Sequence, residues 1–327
     1  MKGSPHNRLG EQRMHEITMF SGSAHQELAA AICHHLDIPL ASTRVTRFAN
    51  DCLEVQLLAN CRERDVYIVQ PLSPPVQEHL VELLLMLDAA RGASAGRITV
   101  VMPHFAYARS DKKNAPRISI AARLMADLMQ TAGADRVLTM TLHSPQVHGF
   151  FGVPVDHLHA RHELAQHFRR DDLGNSVVVS ADLGYAKEAA RFARLLGVPV
   201  AAAAKERLAD DKVVISEIIG DVRGRDVVVL DDEIARGTTI LELLDRLAEH
   251  EVASVRVACT HGLFTDGALA RIGEREEVTE IVCTNTVPVH DADRAPKLTV
   301  LSTASAFAEA VRRIHNGESV SVLFEQS

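Results

Sequence analysis

The sequence predicts an α/β fold of two domains, each a mainly parallel sheet flanked by helices, and three observations carry that prediction. Short apolar runs alternate with segments of helical periodicity along nearly the whole chain. The alternation runs through once and starts again near residues 155–160. A chain of 327 residues with 46% hydrophobic content is long enough for two cores.

The elements follow in order. Residues 1–15 are polar, lack the apolar stretch of a signal peptide, and are expected to form a disordered tail. The first domain is expected over 16–157. In it ITMFSG leads to the helical AHQELAAAICHHLD, DVYIVQ to VQEHLVELLLMLDAARGA, and RITVVMP to SIAARLMADLMQTAG, with RVLTMTL closing the set. The second domain is expected over 158–310, where SVVVSAD, VPVAAAAK, DVVVLDD, SVRVACTHG, EIVCTN and KLTVLST read as strands. YAKEAARFARLLG, TTILELLDRLAEH, ALARIGE and AFAEAVRRIHNG read as helices, and 311–327 is expected to pack back on the first domain. One segment breaks the rhythm: KERLADDKVVISEIIGDVRGRD, 205–226, is polar and longer than the usual connection of about two to six residues. The alternation in VVISEII predicts a protruding hairpin, a flap.

Charge and cysteine content narrow the classes of function. The net charge is −8, which removes the basic excess that non-specific nucleic-acid binding rests on. Anionic substrates must therefore be met by local clusters. Five scattered cysteines with no C-x-x-C spacing argue against a zinc or redox pair and for a reduced, intracellular chain. No run of about 18 apolar residues occurs, so a soluble, cytoplasmic protein without a membrane partner is expected.

The densest chemistry lies in VVVLDDEIARGTTI, 227–240. A buried-strand run ends in two carboxylates, and a glycine and two threonines open the next helix. In open α/β sheets ligands sit beyond the carboxyl ends of strands, where helix N-termini offer free N–H groups to anions. Asp231 and Asp232 suit sugar hydroxyls, and Gly237, Thr238 and Thr239 suit a phosphate; a sugar phosphate satisfies both ends. The two acids read equally well as caps of the following helix. Neither G-x-x-x-x-G-K-[ST] nor a strand-linked G-x-G-x-x-G is present, which excludes the Walker and dinucleotide-binding architectures.

Over residues 17–325 the chain resembles the ribose-phosphate diphosphokinase (phosphoribosyl pyrophosphate synthetase) family, in its common ADP- and phosphate-regulated class. The resemblance rests on FSGSAHQELA, RFAN, DVYIVQ, ASAGRITVVMPHFAYARSDKK, LHSPQVHGFFGVPVD, KER, IIGDV, VVLDDE, THGLF, TNTVP and HNGESVSVLF, in the family's order. It implies two domains of type I phosphoribosyltransferase fold with ATP between them. The implied reaction moves the β,γ-pyrophosphoryl group of ATP to the 1-hydroxyl of ribose 5-phosphate, with Mg2+. By the same resemblance, Arg109 and Asp111 hold ATP, and Phe48 and Asn50 meet adenine from a neighbouring subunit. His143 and Asp182 lie at the metal, while Lys205 and Arg207 are the catalytic cations of the flap. Asp231, Asp232, Arg236, Gly237, Thr238 and Thr239 form the ribose-phosphate loop. Gln146, Ser319, Ser321 and Phe324 match the inter-subunit site for phosphate and ADP. A homo-oligomer, dimer or hexamer, is implied.

Several positions depart from the family pattern. The loop usually continues its two acids with a third Asp and a Thr, where this chain has Ala235 and Arg236. Thr141 replaces an Asp, Cys52 a Glu, and Tyr185 a small Gly. Three readings stand at this point: a working diphosphokinase, the same chemistry on another sugar phosphate, or an inactive subunit in a hetero-oligomer with a catalytic paralogue.

Overall fold

A computed structural model describes residues 16–209, 212–290 and 295–325; the side chains of 206–209, 212–214 and 324–325 are outside the described set. The tail expected over 1–15 also lies outside the described residues.

Two sheets organise the chain. The first has six parallel strands in the order β2-β1-β5-β6-β7-β8. These are β1 (Ile17–Ser21), β2 (Leu40–Ala41), β5 (Asp65–Val69), β6 (Arg97–Met102), β7 (Arg136–Met140) and β8 (Val155–Leu158). Between them β3 (Thr43–Arg47) and β4 (Leu53–Leu57) form a separate antiparallel ribbon. The second sheet runs β11-β10-β9-β12-β13-β14-β15 and is parallel apart from the β10–β11 pair. Its strands are β9 (Ser176–Ser180), β10 (Val200–Ala209), β11 (Lys212–Ile219), β12 (Asp226–Ile234), β13 (Ser254–Gly262), β14 (Val278–Thr284) and β15 (Leu298–Leu301).

The central strands are apolar on both faces because helices cover both faces, as parallel sheets require. On the first sheet, Val66 and Ile68 point to one core with Leu83 and Met86 of α2 (Val76–Gly92) and Met125 and Met129 of α3 (Ala121–Ala132). Tyr67 and Val69 point to the other, shared with Leu28 and Ile32 of α1 (Gln26–Leu36). On the second sheet, Val177 and Val179 meet α6 (Thr238–Glu249) and α7 (Ala268–Gly273) through Leu243, Leu247 and Ile272. Val178 meets Phe168 of α4 (Arg161–Phe168) and Phe192 of α5 (Ala186–Leu196). This period of two puts alternate residues on opposite faces.

The chain's last long helix, α8 (Ala304–Asn316), leaves the second sheet and packs on the first. Phe307, Val311 and Ile314 share the core of Met19, Leu28 and Tyr67. Full burial of Phe307 contributes about 2–3 kcal/mol to that attachment. Its far end is fastened by a hydrogen bond: His315 Nδ1 lies 2.8 Å from Asp65, which also takes a two-pronged bond from Arg97, at 2.8 and 2.5 Å.

The hairpin expected in 205–226 is present. β10 pairs with β9 over only Val200–Ala202, and from there it continues outward with β11 as an antiparallel ribbon. Among the described residues no helix is long and apolar enough to cross a membrane.

Two histidines at the junction of the halves are held neutral. His157 Nε2 accepts the Leu142 N–H at 2.8 Å; burial, aided by neighbouring His159, lowers its pKa to about 3. Burial likewise lowers His261 to about 4. Below pH 6.5 the unfolded chain takes up protons that these folded rings refuse, so their stability is complete above about pH 6.5 and drains away as pH falls. A loss on the order of 2–4 kcal/mol is expected between pH 7.5 and 5, read as a falling urea midpoint. A flat profile, or a rise towards pH 5, would contradict the neutral assignment.

Candidate active site

β9 and β12 are hydrogen-bonded neighbours although β10 and β11 lie between them in the chain. The strand order reverses there, and a crevice opens beyond the two carboxyl ends. A cavity of 640 Å³ fills it, lined by residues from both halves. Asp182 follows β9, Asp231 and Asp232 lie near the carboxyl end of β12, Arg236–Thr239 lead into α6, and Lys205 comes from the hairpin. Arg109 and His143 reach in from the first half.

The first sheet has the same reversal between β1 and β5, but its crevice is plugged. The Gln70 amide crosses Gly22 so closely that a Cβ there would lie 2.3 Å from Oε1. Ala24 N–H donates to that oxygen at 3.1 Å, and the buried Glu82 carboxylate accepts from Ser23 N–H at 2.7 Å. The second crevice is open to a ligand.

At the start of α6 the chain turns through Gly237, with φ +70°. A Cβ at this position would also meet Ala268 Cβ and Ile272 Cδ1 at 3.2 Å, so both conformation and space select glycine. The turn leaves the first N–H groups of a twelve-residue helix facing the cavity, a ready anion site. Neither acid caps this helix through a side-chain hydrogen bond. That excludes the capping alternative for Asp231 and Asp232.

The two acids differ in state. Asp232 bonds His143 Nδ1 at 2.8 Å and donates its own N–H to Asp231 Oδ1 at 2.9 Å. Burial works against its charge, but the bond to His143 and the nearby Arg109 hold its pKa well below the usual carboxylate range. Asp231 is pushed far up by burial and by the charge of Asp232. The bond to Asp232 raises the pKa of His143 in turn. Asp182 bonds Lys205 Nζ and also caps Tyr185 N–H at 2.9 Å.

Arg236 lies at the rim. Its Nε is 2.9 Å from Asp266 Oδ2, its side chain is 69% exposed, and its carbonyl accepts from Arg271 at 2.7 Å. The side chain is therefore anchored outwards and does not fill the cavity. Tyr185 packs below the sheet beside Leu230 and Thr260, away from the cavity lining.

Other expected site residues stand apart. Phe48 and Asn50 sit at the tip of the β3–β4 ribbon, outside the lining of this chain's cavity. Asp111 accepts from Gln146 Nε2 at 2.7 Å on the surface of the first half. Ser319 and Ser321 form a turn after α8, with the Ser319 carbonyl 3.1 Å from Arg313 Nη1. The side chains of Arg207 and Phe324 lie outside the described residues. Sequence reasoning missed His104, Glu233 and Asp266. The third consecutive acid in Asp231-Asp232-Glu233 was the available signal for one of them.

Comparison with known proteins agrees with this geometry. Residues 17–133 match the N-terminal domain of ribose phosphate pyrophosphokinase, and 206–325 match the phosphoribosyl synthetase-associated domain. A Streptomyces coelicolor protein, provisionally named as a ribose-phosphate pyrophosphokinase, is 70% identical over 95% of this chain and 98% of its own length. The ribose-phosphate pyrophosphokinase of Deinococcus radiodurans is 49% identical over 95% of this chain and 99% of its own. The crystal structure of phosphoribosylpyrophosphate synthetase from Mycobacterium smegmatis superposes with a TM-score of 0.86 at 37% identity, over 92% of this chain and 99% of that one. Two sheets, one open crevice at a strand-order reversal and relatives aligned end to end place this chain in the ribose-phosphate pyrophosphokinase family.

Proposed function

We infer that the chain is a working ribose-phosphate diphosphokinase, transferring the β,γ-pyrophosphoryl group of ATP to the 1-hydroxyl of ribose 5-phosphate and releasing AMP and phosphoribosyl pyrophosphate. The observation that carries this reading is the composite cavity: acids at a strand end, a helix N-terminus one turn on, and cations from the opposite half and from the hairpin. In it the Gly237–Thr239 turn holds the 5-phosphate and Asp231 and Asp232 take the ribose hydroxyls. Arg109 and Asp111 serve the ATP side. Lys205 and Arg207 face the charge that develops as the 1-hydroxyl attacks the β-phosphorus, which is electrostatic stabilisation of the transition state. Arg236 is paired with Asp266 at the rim of the cavity. This outward anchoring favours an open ribose pocket over one reshaped for another sugar.

Mg2+ belongs to the reading, and the donor set suits it. Among the described residues no group of three or more His, Cys, Asp or Glu forms a metal cluster. Mg2+ needs no such cage, since it takes one or two carboxylates and completes its shell with substrate phosphates and water. Asp182 is the carboxylate on offer. His143, whose Nδ1 faces Asp232, has its other ring nitrogen directed by that bond. When bound, the ion would neutralise phosphate charge.

Phe48 supports a homo-oligomer: an aromatic side chain 49% exposed at a ribbon tip suits a partner's adenine site. The reading keeps Gln146, Ser319, Ser321 and Phe324 for phosphate and ADP. It keeps the domain boundary near 157–158, supported by the change of sheet between β8 and β9. A cytoplasmic location is part of it, supported by five free cysteines.

Phosphorus NMR of the products tests the reaction. AMP and phosphoribosyl pyrophosphate are expected only when ribose 5-phosphate is supplied; ADP as the nucleotide product would overturn it.

A further inference from the structure

Glu233 is an acid that none of the assigned roles uses. It sits next to Asp232 on β12, yet its carboxylate crosses to the first half of the molecule. Oε2 lies 3.0 Å from His104 Nε2, and Oε1 lies 3.3 Å from Arg109 Nη2. The two partners differ in freedom. The His104 side chain is 3% exposed, with Nδ1 3.0 Å from the Leu72 carbonyl and its ring against His261 at 4.7 Å. His261 is fixed in turn by Thr286 Oγ1 at 2.8 Å and the Thr141 carbonyl at 3.0 Å. Arg109 ends a short 3₁₀ turn, and its side chain is 50% exposed at the cavity wall. One carboxylate oxygen is thus tied to a buried frame, and the other is aimed at a half-exposed guanidinium.

We propose that Glu233 is a positioning residue that holds the Arg109 guanidinium over the crevice, using buried His104 as its fixed point. This rests on the assignment of Arg109 to the ATP side. Holding one long side chain in its working geometry before binding removes an ordering cost of about 0.5–1.5 kcal/mol, or roughly 3–10-fold in affinity. Glu233→Gln is the informative change, since the amide oxygen still reaches His104 while the charge facing Arg109 is gone.

The test is a cycle of four full-length proteins: natural, Glu233→Gln, Arg109→Ala and the double variant. KM for ATP and for ribose 5-phosphate, the ATP Kd by calorimetry without sugar, and Tm are read for each. Glu233→Gln is expected to raise KM and Kd for ATP about 3–10-fold, with KM for the sugar and Tm unchanged. In the Arg109→Ala background it adds nothing. An effect that persists in full without Arg109, falls on the sugar, or appears only in Tm overturns the proposal while leaving the Arg109 assignment standing. If Arg109→Ala itself leaves ATP binding unchanged, that assignment fails and the proposal falls with it.

Discussion

Lys205→Ala is expected to lower kcat by about 10²–10³-fold, the cost of removing one positioned charge-stabilising group. Lys205 lies where β10 has left β9 and runs outward with β11, its backbone paired with Ile215. The strand delivers the ammonium to the crevice, where it bonds Asp182 before substrate arrives. The side chain is one-third exposed, so its loss should shift stability by only about 0.5 kcal/mol. A fall in kcat with an unchanged melting curve separates a chemical role from a structural one. Lys205→Arg keeps the charge but spreads it over a larger group and is expected to retain part of the activity. A kcat for Lys205→Ala within threefold of the natural protein would remove Lys205 from the chemistry.

The largest expected effect on stability lies far from the crevice. Asp65→Ala deletes the acceptor of the two-pronged Arg97 bond, of His315 Nδ1 and of the Tyr67 hydroxyl, which donates at 3.1 Å. The Asp65 side chain is 4% exposed and that of Arg97 35%, so the guanidinium is left half-buried with the Ile314 carbonyl, at 3.2 Å, and the Tyr67 hydroxyl, at 3.4 Å, in place of a carboxylate. Breaking one partner of such a pair costs about 3 kcal/mol. For a chain of this size the melting temperature should fall on the order of 4–5 °C, with earlier proteolysis after α8. Asp65→Leu combined with Arg97→Met removes both charges together and is expected to recover most of the loss. Equal stability of the Asp65→Ala and natural proteins would show that Phe307 and its neighbours alone hold α8 in place.

The parallel sheets were legible because residues such as 66–69 and 227–230 are buried on both faces and read as unbroken apolar runs. The β3–β4 ribbon was not, because TRVTR and LEVQL are short, half-exposed and carry no such run. β8 and α4 escaped for a related reason: VDHL is four residues long and RHELAQHF is mostly polar. In the site, the strand-end acids and the glycine turn announced themselves locally. The pairs that join the halves did not: His143–Asp232 spans 89 positions and His104–Glu233 spans 129, and periodicity carries no information across such distances. The direction of Arg236 was equally hidden, because Asp266 reaches it from the loop after β13.

The central claim is that the crevice turns over ribose 5-phosphate without a carboxylate at position 235. The most direct test is the rate of AMP release from ATP, Mg2+ and ribose 5-phosphate by the natural protein, beside the Ala235→Asp, Arg236→Thr double variant. Sugar-dependent AMP release by the natural protein, abolished by omitting ribose 5-phosphate, is the expected result. A silent natural protein beside an active double variant would contradict it.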